Sequence, residues 1–173
     1  MTTLLVLGGT QWLGREIAAQ ARASGVSVTC LARGEAGPPA DDIEFVVADR
    51  SEPHAYDTVR DRDWDAVVDV SWQPEFVAGA VDALADRAAH WTYVSSGSVY
   101  ARTDIPDSDE SSTRHAPLPA GEAATWETYG PAKAACEDLV VAGLGERAFL
   151  ARAGLIGGPG DPSDRFGYWV SRF

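Results

Sequence analysis

The sequence predicts an α/β domain: an open, doubly wound parallel sheet of six strands in the order 3-2-1-4-5-6, with helices on both faces. Two observations point there. Short apolar runs alternate with amphipathic segments of helical period along the 173 residues. The first of these runs, TLLVL at 3–7, is apolar throughout and stops at Gly8-Gly9, as a strand buried on both faces of a parallel sheet does.

Trp12 to Ser24 carries Leu13, Ile17 and Ala21 at helical spacing and ends at Gly25, a natural C-cap. Val26 to Ala32 is the second strand and completes a βαβ unit. Gly34 to Asp42 is a Pro/Gly loop, and Ile43 to Ala48 is the third strand. After Asp49-Arg50, the run Ser51-Glu52-Pro53 places a cap residue and a proline where a helix starts. Asp65 to Val70 is the fourth strand; Ser71-Trp72-Gln73 then leads into a helix from Pro74 to Ala89, whose stripe of Phe76, Val77, Ala80, Val81, Leu84 and Ala88 is core. Trp91 to Ser95 is the fifth strand. Arg102 to Ala124, rich in Pro, Ser, Asp and Glu without a period, is a long loop flanking the site. Tyr129 to Ala142 is a helix in which Pro131 is tolerable only in the first turn, so Tyr129 stands near its start. Gly143 and Gly145 end it, and Ala148 to Leu155 is the sixth strand. The sequence holds no internal repeat, low-complexity segment or linker.

Composition narrows the function. A net charge of −12 with no Lys/Arg cluster argues against a nucleic-acid partner, since neutralising phosphates takes a basic face. It leaves room for a phosphorylated small molecule, which needs only local donors. Cys30 and Cys136 belong to no C-x-x-C or Cys/His pattern and read as reduced, half-buried residues; with His54, His90 and His115 scattered, no metal site is expected. No apolar segment approaches the length of a membrane span, and the N-terminal Met-Thr-Thr lacks the basic start of a signal peptide, so a cytoplasmic protein is expected.

The chemistry-bearing residues fall in two places. Between the first strand and helix lies GGTQWLG, where glycines allow a tight turn and the helix N-terminus offers free N–H groups to an anion. Gly8, Thr10, Gln11, Trp12, Leu13 and Gly14 are therefore candidate dinucleotide-binding residues; the plain alternative is a tight βα turn without a ligand. At the end of the second strand, where a carboxylate would accept from a ribose 2′-OH, the sequence offers Arg33, which favours NADP over NAD without excluding NAD. Arg33 as a solvated loop residue is the alternative.

The second place is Tyr129-Gly130-Pro131-Ala132-Lys133. Lys133 is the only lysine beside thirteen arginines, which marks a site that a guanidinium would not serve. It lies one helical turn past Tyr129 on the same face. An ammonium about 5 Å from a phenol, at an effective dielectric of about 20, is worth roughly 3 kcal/mol and brings the phenol pKa from about 10 to about 8. That suits proton transfer near neutral pH. An ordinary helix with an aromatic and a surface lysine is the alternative.

These segments resemble the short-chain dehydrogenase/reductase superfamily, in its extended and atypical branches of nucleotide-sugar epimerases, dehydratases and related reductases. The resemblance covers nearly the whole chain and implies a Rossmann-type NAD(P)-binding domain over residues 1–173. Gly8 and Gly14 match the family's G-x-x-G-x-x-G turn, with Gln11 in place of the middle glycine, and Ala153 replaces the usual proline after the arginine. By resemblance Asp49, with Arg50 beside it, faces the adenine, although Asp49 equally fits a helix cap. Ser71 and Trp72, in the loop after the fourth strand, lie beside the cofactor. WTYVSSGSVYA resembles the family's V-S-S-x-x-V-Y block and makes Ser96 the hydroxyl that polarises the substrate oxygen, with Ser95 and Ser98 as alternatives one turn away. The resemblance implies an enzyme in which Tyr129 moves the proton of a small-molecule hydroxyl or carbonyl, a nucleotide sugar among the candidates, while Lys133 lowers the Tyr pKa and binds the nicotinamide ribose. The competing class is a non-catalytic NAD(P)-binding redox sensor. Phe166, Tyr168, Trp169, Val170 and Phe173 crowd the final eight positions, which leads to two expectations: an N-terminal portion of a longer polypeptide that lacks its substrate domain, or a surface covered by a partner subunit, a homo-oligomer included. The alternative is that these side chains fold back onto the sheet.

Overall fold

The computed structural model of the chain describes residues 1–163 and 165–172. Six strands form one sheet: β1 (Thr3–Leu7), β2 (Ser27–Ala32), β3 (Glu44–Val47), β4 (Ala66–Asp69), β5 (Trp91–Ser96) and β6 (Ala148–Ala153). Their order is β3-β2-β1-β4-β5-β6, and every pairing is parallel, as the sequence predicts. The helices are α1 (Trp12–Ala23), α2 (Pro74–Leu84), α3 (Tyr129–Leu144) and the short α4 (Arg165–Val170).

The period of two along β1 divides the core. Leu5 and Leu7 face α2 and α3 in a cluster with Val67, Trp91, Tyr93, Val77, Leu84, Cys136 and Val140, all buried. Leu4 and Val6 face the other way, onto α1 through Ala18, with Val28 and Cys30. A strand that feeds both layers must be apolar at every position, which is why TLLVL shows no alternation. On the α1 side of β6, Phe149 is 56% exposed among the described residues. Both cysteines are free and fully buried, deeper than the half-burial expected. Burial pushes the Cys30 thiol up to about 12 and the Cys136 thiol up to about 11. Among the described residues no helix is long and apolar enough to cross a membrane.

Three element expectations need correction. The segment after Arg50 is a run of turns instead of a helix. Bonds such as Ala55 N–H to Glu52 O and Val59 N–H to Tyr56 O reach back three residues, and Pro53 supplies no N–H. Buried Ala55, Tyr56 and Val59 still dock these turns on the core. The helix expected to reach Ala89 ends at Leu84, followed by a 3₁₀ turn over Ala85–Arg87. There Arg147 donates to the carbonyls of Ala85 and Ala88, a cationic cap on the last turn. Gly143 does not stop α3: a Cβ there would run into Val81 of α2, so this glycine sets the close approach of the two helices, and the stop falls to Gly145 at φ +54°. Of the five apolar side chains near the C-terminus, Phe173 lies outside the described residues, as do the side chains of Phe166 and Trp169. Tyr168 is 51% exposed and Val170 66%.

Glu137, fully buried on α3, ties the layers together. Its Oε1 accepts from Ser95 Oγ of β5 at 2.6 Å and from Arg152 Nε of β6 at 2.9 Å. Its Oε2 accepts from Arg152 Nη2 at 2.8 Å and from Arg114 Nη1 of the long loop at 2.9 Å. Burial alone would raise this carboxyl, but the bonds from Arg152 and Ser95 outweigh it and hold the group below its ordinary range. A depressed carboxylate contributes stability that is present above the unfolded-state pKa and lost as pH falls through the folded one. Glu137→Leu, which leaves Arg152 without its carboxylate, is expected to cost about 3–5 kcal/mol in urea unfolding at pH 7. The deficit should shrink as the pH is lowered below about 4. An unchanged urea midpoint would show that the network adds nothing.

Candidate active site

A parallel sheet brings all strand carboxyl ends to one edge, and two adjoining cavities lie along it. The smaller, about 190 Å³, runs from Gly8 past Arg33 and Asp49 to Ser71. The larger, about 1030 Å³, contains Trp12, Leu13, Gly14, Ser96, Ser98, Trp72, Trp126, Tyr129 and Lys133. Thr10, Gln11, Val70 and Trp72 line both, so they meet around the glycine turn.

The turn's glycines have geometric causes. Gly8 adopts φ +95°, and a Cβ on it would sit 2.7 Å from Val70 Cγ2. A Cβ on Gly14 would collide with the Gly8 carbonyl, so α1 can press on the end of β1 only with glycine there. Gln11 needs no such freedom: it is the N-cap of α1 in extended backbone (φ −80°), exposed, and its side chain makes no capping bond. The first turn of α1 therefore presents backbone N–H groups without a side-chain cap, and no acidic residue repels an anion there. This cradle fits a dinucleotide pyrophosphate. The Trp12 side chain has a structural job as well: its indole Nε1 donates to Pro159 O at 2.9 Å and pins the 158–160 turn over the cavity.

At the smaller cavity Arg33 is half exposed and pairs with Glu35 at 3.0 Å. Asp49 Oδ1 accepts from Ser51 N and Oγ at 2.9 and 2.7 Å, so it caps the turn that follows and lines the cavity as well. Those two bonds hold its carboxyl low. Arg50 is a support and not a hand for the ligand. Its five N–H groups go to Tyr56 Oη, Ser71 Oγ, the Phe76 carbonyl and both oxygens of Asp69, which is itself fully buried. Ser71 Oγ in turn donates to Asp69, so this hydroxyl belongs to the same cluster.

In the larger cavity, Gly130 sets the approach of α3. A Cβ there would lie 2.5 Å from Ser98 O and 2.9 Å from the His115 ring. Its absence lets the first turn of α3 press on the 97–99 turn and brings Tyr129 into the cavity that Ser96 lines. Ser96 Oγ accepts from Ser98 N at 3.1 Å and donates to Ser98 Oγ at 3.2 Å. Ser95 is committed elsewhere, buried against Glu137. Lys133 is no surface lysine: it is 3% exposed, and Nζ donates to Val94 O at 2.7 Å and Ser71 O at 2.9 Å, 4.7 Å from the Tyr93 ring centroid. Burial lowers its pKa to about 8, against the pull of Cys136, Asp69 and Glu137.

Sequence reasoning missed three features: the strut role of Arg50, the Glu137 network, and an aromatic trio of Trp72, Trp126 and Tyr129. Glu137 stands four residues past Lys133, one turn further along the same helix face, which was a usable signal. The trio joins residues far apart in sequence and had none.

The fold defines a Rossmann-type α/β architecture. Neither protein-family models nor curated proteins give a match to the sequence. Among solved structures it is similar to the UDP-N-acetylglucosamine 4-epimerase of Bacillus cereus, at TM-score 0.71 and 20% identity over 99% of this chain and 66% of that one. It is similar to the Bordetella bronchiseptica enzyme WbmH in complex with NAD+, at TM-score 0.74 and 16% identity, covering 99% and 62%. Vestitone reductase from alfalfa matches at TM-score 0.65 and 21% identity, covering 87% and 56%. The chain thus spans between about half and two thirds of the length of these structures, and likeness at such identity is likeness of fold.

The two arginines of the smaller cavity are expected to behave oppositely. Arg50→Met strands the buried Asp69 carboxylate and should cost about 3–5 kcal/mol of stability. Arg33→Ala breaks an exposed pair and should change stability by less than about 0.5 kcal/mol. Equal urea midpoints for the two variants would contradict this division.

Proposed function

We propose that the chain is the cofactor-binding and proton-transfer part of an NAD(P)-dependent oxidoreductase, epimerase or dehydratase of the short-chain dehydrogenase/reductase type, acting on a hydroxyl or carbonyl of a small molecule. One observation carries this reading: Ser96, Tyr129 and Lys133 line the same cavity as the glycine turn. Several similar structures are named as UDP-sugar 4-epimerases, which supports a nucleotide sugar as the substrate class. The bound nicotinamide would supply or take the hydride.

The protein's part is positioning and proton movement. Tyr129 gives or takes the proton of the substrate oxygen, and Ser96 hydrogen-bonds the same oxygen. Lys133 has two of its three N–H donors fixed on carbonyls; the third is the one to hold a nicotinamide ribose hydroxyl. Its charge also favours the phenolate form of Tyr129. Main-chain N–H groups of Trp12 and Leu13 at the start of α1 would hold the pyrophosphate, and Arg33 a 2′-phosphate.

Tyr129→Phe should abolish turnover and leave cofactor affinity nearly unchanged, whereas Lys133→Met should weaken both; wild-type rates in Tyr129→Phe would remove the phenol from the mechanism. Arg33 should make NADPH bind more tightly than NADH by about 1–2 kcal/mol, a margin that Arg33→Ala erases. Equal dissociation constants in calorimetry would refute the preference.

The Lys133 shift adds a pH dependence. With its pKa lowered to about 8, the ammonium is charged below that pH and loses its proton as pH rises through it. Cofactor affinity is therefore expected to fall between about pH 7 and pH 9 in the wild type and to stay flat in Lys133→Met. Parallel profiles would assign the titration to another group.

A further inference from the structure

We propose that Trp126, backed by Trp72 and Tyr129, is a stacking platform for the ring of a ring-bearing alcohol or carbonyl substrate, so that the ring seats the reacting oxygen beside the Tyr129 phenol. The inference rests on the proposed role of Tyr129 and adds the class of substrate to it. Trp126 is 76% exposed, a large apolar surface left open beside a cavity. It is not loosely held. Thr125 N–H donates to Thr128 Oγ1 at 2.9 Å, Thr128 N–H to Thr125 O at 3.1 Å and Tyr129 N–H to Trp126 O at 3.4 Å, so the indole sits in a bonded turn that runs straight into α3.

One side of the indole is backed. Trp72 stacks on it with centroids 5.0 Å apart and planes 22° from parallel. Trp72 is half-buried and packs with Leu118, Ala132 and Ala135. Tyr129 lies tilted against both, 5.5 Å from Trp72 and 5.8 Å from Trp126. All three rings line the cavity that holds Ser96 and Lys133. A rigid, backed indole that keeps most of its surface in water has contact area to offer and little ordering left to lose on binding, and its face suits another ring. Tyr129 belongs to the trio and to the proposed proton transfer, so a ring laid on Trp126 is held within reach of the phenol. Aromatic rings and the C–H face of a pyranose share this stacking chemistry, and the test tells them apart.

Binding of 4-hydroxybenzaldehyde, UDP-glucose and the ringless control dihydroxyacetone is measured by calorimetry, with and without NADPH, on the wild type, Trp126→Ala and Trp126→Phe. Trp126→Ala should weaken at least one ring compound about tenfold, Trp126→Phe should recover most of that loss, and NADPH affinity and Tm should hold in both variants. A response of 4-hydroxybenzaldehyde identifies an aromatic substrate ring, and a response confined to UDP-glucose identifies a nucleotide sugar, held through its pyranose or its uracil. The platform is overturned if Trp126→Ala binds the ring compounds as the wild type does, or if the wild type binds neither more tightly than dihydroxyacetone. Failure of NADPH to bind the wild type would instead sink the functional reading, and the titrations without cofactor still decide the platform.

Discussion

The geometry of the site depends on a buried ammonium. Lys133 reaches from α3 into the carboxyl edge of the sheet, where Nζ bonds Ser71 O just past β4 and Val94 O in β5. Two strand ends and one helix are thereby held at hydrogen-bond distance from a single atom. Ser71 O also accepts from Tyr93 Oη at 3.0 Å, so the aromatic ring near the ammonium is fixed by the same carbonyl. The arrangement is costly for the charge: burial lowers the lysine's pKa to about 8, so the surrounding carbonyls and carboxylates do not fully repay the lost water.

Around that ammonium the fold places its other buried charges in closed sets. Asp69 is matched by Arg50 with every guanidinium N–H engaged, and Glu137 by Arg152 and Arg114. The first cluster is anchored on Asp69 of β4, and the second joins Ser95 of β5 and Arg152 of β6 to Glu137 of α3. Each joins segments distant in sequence, Arg50 to Phe76 in one and Ser95 to Arg152 in the other. Bonded charges at low dielectric fix direction as well as distance, which suits a cavity wall. Arg33, half exposed and paired with the exposed Glu35, differs in kind. It can turn towards a ligand by exchanging one exposed partner for another.

The strand order was legible because a parallel sheet writes burial on both faces into continuous apolar runs, and in β1 the four residues after Thr3 are all apolar and buried. Gly8 and Gly14 were legible as well, because close backbone approach excludes every other side chain. What the sequence hid was the use of residues whose chemistry permits two roles. Gly143 looks like a helix stop and is a packing contact with Val81; Arg50 looks like a ligand cation and is a strut for Asp69. Ser51-Glu52-Pro53 reads as a helix start, yet the segment settles as turns that dock Tyr56 and Val59 on the core, a tertiary demand that local propensity does not carry. The stacking of Trp72 on Trp126 lies beyond any local pattern, since the two are brought together only when the β4 loop meets the start of α3.

The single lysine among fourteen cationic side chains now has a structural cause. Its slot offers two carbonyl oxygens at 2.7 and 2.9 Å from one nitrogen and an aromatic ring 4.7 Å away. An ammonium serves that set from one point, with donors that rotate freely to meet both oxygens. A guanidinium would spread its five N–H groups over a rigid plane and bring more donors than the slot has acceptors, and the surplus would be buried unpaired. It would also stay charged at every accessible pH, whereas the lysine already lies close enough to neutrality for burial to lower its pKa to about 8. The residue type thus follows from the geometry of the two carbonyls and of the ring beside them.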